Sequence, residues 1–123
     1  MSPGDVVLIR LPVFAGTGTK LRPALYLASL PGPYQTLLLC GISTQLAQIL
    51  ANWDELIQNT DSDFSSSGLH QPSMVRLSYL YAADPSEISG ILGNIDLTRL
   101  DRLRERLADQ IRPLIPQTSG TPP

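Results

Sequence analysis

The residues best suited to chemistry in this chain are two arginines and two hydroxyls at strand ends: Arg22, Ser43, Thr44 and Arg76. Their common partner would be a phosphate. A guanidinium presents a planar fork that matches phosphate oxygens, and hydroxyls add single donors. Spacing along the chain does not by itself bring the four together. Two roles therefore stay open for them: a phosphate-binding cluster, or strand arginines beside hydroxyls that cap local backbone. Arg22 is the most constrained. Pro23 pushes the residue before it out of the helical region and towards extended geometry. Pro23 cannot donate to a sheet ladder, so it belongs at the start of a strand or on an edge. A cation is thereby held at the mouth of a strand.

Other chemistries find less support. His70 is the single histidine, in a loop before Pro72. No Cys/His set accompanies it, which speaks against zinc. No nucleophile elbow is placed near it, so it reads as an exposed loop histidine. Cys40 lies in an apolar run and reads as a buried small side chain. Asp54, Glu55, Asp61 and Asp63 match no EF-hand spacing and read as a solvated acidic surface. The loop containing Gly16 and Gly18 lacks the Gly-Lys-Ser/Thr ending of a P-loop and precedes a strand.

These residues must be positioned by short strands. Val6 to Leu11 is nearly continuous and apolar, and Pro12 ends it. A mobile loop from Phe14 to Lys20 leads to a second strand, Ala24 to Ser29. Pro31-Gly32-Pro33 turns the chain into a third, Tyr34 to Ile42, making a hairpin. Residues 47–57 fit no single template, although Trp53 is expected to pack on the core. The serine-rich stretch from Asn59 to Gly68 reads as a long exposed loop. In the fourth strand, Ser73 to Ser78, Val75 and Leu77 should face the core, with Met74 and Arg76 on the other face. Tyr79 to Tyr81 extends it, and Glu87 to Ile95 supplies another segment. Asp96 is placed to cap a helix whose Leu97, Leu100, Leu103, Leu107 and Ile111 form one apolar stripe. Its charges should pair along the helix as Asp101/Arg104, Arg102/Glu105 and Asp109/Arg112, giving a solvated face. Five or six strands and one helix predict a mainly β protein, a small barrel capped by the helix.

Composition agrees with that class. A chain of 123 residues fits one domain, and eleven prolines and nine glycines argue for turns over a helical bundle. The net charge of −2 advertises no global field for nucleic acid, so any polyanion site must be local. One cysteine cannot form an internal disulfide, no apolar run approaches membrane-spanning length, and no signal peptide is apparent. The chain reads as cytoplasmic.

Several motifs occur in a telling order: Gly4-Asp5-Val6-Val7, Arg22-Pro23-Ala24-Leu25, Ile42-Ser43-Thr44-Gln45, Gly68-Leu69, Pro72-Ser73-Met74-Val75-Arg76-Leu77, and Ile91-Leu92-Gly93-Asn94-Ile95 before the helix. In that order they resemble the MazF/PemK family of toxins from toxin–antitoxin pairs, over roughly Gly4 to Ile111. The resemblance implies an SH3-like β-barrel with a C-terminal amphipathic helix over residues 1–112, followed by a disordered Pro-rich tail at 113–123. It implies a homodimer, a cognate acidic antitoxin as partner, and metal-independent endoribonuclease activity on single-stranded RNA, with no cofactor. By position, Arg22, Ser43 and Arg76 match the family's catalytic positions. Lys20, Pro23, Thr44, Gln45 and Ser78 fall where substrate contacts are expected.

The implied reaction is attack by an RNA 2′-hydroxyl on the adjacent phosphorus, leaving a cyclic phosphate and a 5′-hydroxyl end. Arg22 and Arg76 would stabilise charge on the phosphate oxygens, and Ser43 would donate a hydrogen bond. Two departures stand out. The plasmid-borne branch carries an aspartate two residues after the arginine, where this chain has Ser78. A first-loop histidine of some members is replaced by Thr17, Gly18 and Thr19. An always-charged arginine is a poor general base, so the proton acceptor is unassigned. Two alternatives remain: a non-catalytic module on the same fold that binds an antitoxin or a topoisomerase, and a purely structural barrel domain.

Overall fold

The computed structural model describes residues 1–12 and 17–112. It is mainly β. Strands β1 (Asp5–Pro12), β2 (Thr19–Ser29), β3 (Leu37–Ser43), β4 (Glu55–Ile57), β5 (Ser73–Ala83) and β6 (Ile88–Asn94) form one antiparallel sheet in the order β4-β5-β3-β2-β1-β6. Helix α1 (Phe64–Ser67) follows β4, and helix α2 (Leu97–Ile111) ends the described chain. The loop expected from Phe14 falls partly, and the expected tail at 113–123 wholly, outside the described residues.

Each face of the sheet carries an apolar cluster, as the two-residue period demands when both faces are covered. Val6, Leu25, Leu27, Cys40, Ile42, Val75 and Leu77 face one way and pack with Leu100, Leu103 and Leu107 of α2. Val7, Ile9, Ala24, Tyr26, Leu37, Leu39 and Ala83 face the other. The expected orientation of Val75 and Leu77 is therefore observed. Burial also pushes the Cys40 thiol well above its usual range, with the Asp54 charge adding to the effect.

The sheet is rolled but not closed by a ladder. Its two edge strands, β4 and β6, do not pair; instead α1, which follows β4, packs against β6. Two glycines permit that approach. A Cβ on Gly93 would lie 2.0 Å from the Ser66 carbonyl oxygen, and one on Gly68 would lie 2.3 Å from that of Leu92. α1 thus covers the β6 edge by close backbone packing, and the barrel stays open between β4 and β6.

Several local expectations change. Pro23 lies inside β2, which already begins at Thr19, and pairs with Leu8 of β1. The ladder to β3 begins only at Ala24–Gly41, so Pro23 still occupies a local edge, where a missing N–H is tolerated. The third strand starts at Leu37; Tyr34 is 77% exposed in the turn. The stretch expected as an exposed polar loop contains α1, with Asp63 and Ser67 buried. Trp53 is half-buried against the core.

The charges of α2 also behave differently. Of the three expected pairs along the helix, only Asp109–Arg112 forms among the described residues. Arg99, Arg102 and Arg106 instead reach Glu55, and Arg99 also binds Asp61 and Asp63. The buried Arg99 takes carboxylates across the fold because water no longer serves it, and the more exposed Arg102 and Arg106 share Glu55 with it. Arg104 donates through Nε to the Leu27 carbonyl at 2.8 Å. Asp96 precedes the helix as expected, but its side chain caps nothing and accepts from Ser62 Oγ at 3.0 Å.

Candidate functional site

Sheet register places the candidate residues. Ala24 pairs with Gly41, and Gly41 pairs with Arg76, so these three form one row across β2, β3 and β5. Directly opposed residues share a face, and so do residues two apart. Arg22, Ser43 and Arg76 therefore point to the same side of the sheet. Gly41 lies at their centre and contributes no side chain, which leaves room over the backbone for a neighbouring ring.

The walls follow from an irregularity in β5. The β3 partners step from Cys40–Leu80 to Gly41–Arg76, leaving Leu77, Ser78 and Tyr79 without partners on β3. Such a bulge re-aims side chains. Tyr79 is turned onto the floor: a Cβ on Gly41 would lie 3.7 Å from its ring, ordinary contact. Tyr79 also meets Tyr81 edge to face, with ring centroids 5.5 Å apart. The resulting cavity, about 220 Å³, is bounded by Arg22, Ser43, Gln45, Gln48, Arg76 and Tyr79. A second, about 360 Å³, shares Arg22, Pro23, Ile42 and Ser43 with the first and adds Thr44 and His70. The two meet where the β2–β3 ladder ends.

Ser43 Oγ accepts from the Gln45 backbone N–H at 3.0 Å, a local hydroxyl turn. That bond uses a lone pair and leaves the hydroxyl proton to donate elsewhere. Arg22 is exposed and forms no ion pair with any described residue. Arg76 is held differently: its Nε lies 4.0 Å from Asp54 Oδ2, and its side chain is 23% exposed. Lys20 is exposed opposite Leu11, outside both cavities, as is Ser78, whose hydroxyl donates to Asp54 Oδ1 at 2.9 Å.

A sequence model of the PemK-like, MazF-like toxin of type II toxin–antitoxin systems matches residues 2–111. The chain belongs to this toxin family. No curated protein matches it in direct sequence comparison. Membership of a toxin–antitoxin family implies an antitoxin as partner. Among the described residues of this PemK-like toxin, no helix is long and apolar enough to cross a membrane.

The structure adds residues to the groove that sequence reasoning left elsewhere. Tyr79 was expected only to extend a strand, and its place on the groove floor depends on a bulge that no local composition announces. His70 is exposed, as expected, but it stands on the same cavity wall as Thr44 and Arg22. Asp54, expected on a solvated surface, is buried beneath Arg76. Residues 46–48 form a 3-10 turn that brings Gln48 to the rim.

Proposed function

We propose that this toxin is a metal-independent, single-strand-specific endoribonuclease acting in the groove floored by Gly41. The observation that carries the reading is the convergence of Arg22, Ser43 and Arg76 on one sheet face, around Gly41. A phosphodiester bound there meets two guanidiniums and a free hydroxyl donor. The RNA 2′-hydroxyl attacks the adjacent phosphorus, and the 5′-oxygen leaves, giving a 2′,3′-cyclic phosphate and a 5′-hydroxyl end. Arg22 and Arg76 stabilise the negative charge that grows on the non-bridging oxygens, and Ser43 donates to one of them. Positioned donors of this kind are each worth roughly 3 kcal/mol in comparable sites.

Specificity for single strands follows from the walls. Tyr79 offers a ring face on which an unstacked base can lie, and a paired base has no free face to offer. Pro23, Thr44 and Gln45 line the path on either side, with Lys20 and Ser78 further out. His70 is the wall residue of a type suited to carrying a proton. The same positive groove is where an acidic antitoxin segment would lie, blocking RNA. The toxin domain spans residues 1–112, acts as a homodimer in the cytoplasm, and uses no cofactor.

The test is cleavage of single-stranded RNA by purified protein in excess chelator, with product ends analysed. Wild type should give cyclic-phosphate and 5′-hydroxyl ends. Arg22→Ala should lower kcat/KM by about 100-fold or more, and His70→Gln should slow the reaction less. RNA left equally intact by wild type and Arg22→Ala would remove the catalytic reading. Growth arrest with intact cellular RNA would then favour a non-catalytic module on this fold.

A further inference from the structure

Arg22 and Arg76 share a face but are held in opposite ways. Arg22 is open to solvent. Arg76 lines the groove, yet its Nε is buried, has no hydrogen-bond partner among the described residues, and sits 4.0 Å from Asp54 Oδ2. The Asp54 side chain is itself fully covered, at 0% exposure. Its oxygens are held from three directions. Oδ2 accepts from the Leu50 backbone N–H at 3.0 Å, and Oδ1 accepts from the Ser78 N–H at 3.2 Å and the Ser78 hydroxyl at 2.9 Å.

The bulge in β5 makes this arrangement possible. Ser78 lies two residues beyond Arg76, in the segment without β3 partners. Released from that ladder, its N–H and hydroxyl are both free to bind one carboxylate oxygen. A buried carboxylate is retained only where cations and donors compensate for lost water. The donors here come from Ser78 and Leu50, and the cation is Arg76. A negative charge beside Nε constrains the planar guanidinium of a side chain that also lines the groove.

We propose that Asp54, fixed by Ser78, is the positioning residue for Arg76. Its consequence for catalysis rests on the ribonuclease reading; its geometry does not. The carboxylate touches no substrate. It sets the angle and depth of the guanidinium, and a displacement of about 1 Å in such a group can lower turnover on the order of 100-fold. Because Ser78 Oγ is within hydrogen-bond distance of Asp54, a carboxylate placed at position 78 would reach the same space behind Arg76.

Four proteins test this: wild type, Asp54→Asn, Ser78→Asp, and the double variant Asp54→Asn/Ser78→Asp, in which charge and hydrogen-bond partner change places. Thermal melts establish that each is folded, and kinetics are taken only on folded protein. Asp54→Asn should lower kcat by about 10- to 100-fold with KM within about threefold. Ser78→Asp alone crowds two carboxylates and should lower the melting midpoint. The double variant should recover at least about tenfold of the lost kcat, which a merely structural aspartate would not allow. A second readout involves no RNA: the Arg76 Nε–Hε cross-peak, assigned by its absence in Arg76→Lys. It should be protected from solvent exchange in wild type and the double variant, and lost in Asp54→Asn. A folded Asp54→Asn with unchanged kcat, a folded double variant without recovery, or an unchanged cross-peak in Asp54→Asn would each overturn the proposal. A wild type that cuts no RNA but shows the expected cross-peak pattern would leave the positioning role standing and remove the ribonuclease reading instead.

Discussion

Arg99 uses all five of its N–H donors. Nε and Nη2 bind the two oxygens of Asp63 at 2.7 and 3.0 Å, Nη2 also binds Asp61, and Nη1 binds Glu55 and the Leu56 carbonyl. Burial alone would raise the carboxyls of Glu55 and Asp63, but hydrogen bonds and charge from the arginines outweigh it and hold both below the usual range. The Gln58 N–H is the main cause of a lowered Asp61. Carboxyls lowered by folding stabilise the protein above their unfolded values, near pH ~4, and lose that contribution as pH falls through the lower folded values. The urea midpoint should therefore drop steeply on acidification below about pH 4. Arg99→Leu should destabilise by about 3–5 kcal/mol at neutral pH, because Asp63 stays buried without its cation. It should also flatten the acid limb. A midpoint insensitive to acid in wild type would show that the cluster contributes nothing net. None of this was legible in the sequence. Asp54, Glu55, Asp61 and Asp63 look like surface acids because their cationic partners lie 22 or more residues away, on β5 and α2.

Among the elements, the strands were more legible than their junctions. Apolar runs with Pro-Gly punctuation located β1, the β2–β3 hairpin and the start of β5, and the stripe of Leu100, Leu103 and Leu107 located α2. The brief strand β4 and the four-residue α1 carry too few residues for any period to show. The β5 bulge was equally hidden, since alternation on either side of it reads as one strand. These illegible pieces cover the β6 edge and shape the groove. The junction of α1 with β6 makes a sharp prediction. Gly93→Ala would drive a methyl into the Ser66 carbonyl and should cost about 3 kcal/mol or more. Gly90→Ala, in the same strand with no atom of the described residues within 4 Å of its Cβ, should stay within about 0.5 kcal/mol of wild type. Urea unfolding of the two variants distinguishes them. Equal midpoints would mean that the barrel tolerates separation of α1 from β6.

Across the whole molecule, charge is sorted by place. The net balance is −2, yet Arg99, Arg102, Arg106 and Arg112 are all consumed by carboxylates at the α2 side. Arg10, Lys20 and Arg22 form no ion pair among the described residues, and all three lie on the paired ends of β1 and β2. Lys20 and Arg22 sit two apart on one face, the face of the Gly41 floor. An acidic ligand is thus repelled by the average charge of the toxin and attracted at this end. Within about a Debye length, ~10 Å at 0.1 M salt, the local term dominates. An acidic antitoxin segment should therefore bind over the groove with an affinity that falls as salt rises. Arg22→Glu should weaken it by about tenfold or more. The measurement is calorimetric titration, at low and high salt, of an acidic antitoxin peptide into each toxin form. Both toxin forms should unfold alike, because Arg22 is exposed. Unaltered affinity in Arg22→Glu would move the antitoxin off this groove. A loss seen only at low salt would assign Arg22 to long-range attraction, whereas a loss persisting at high salt would place it in direct contact with an antitoxin carboxylate.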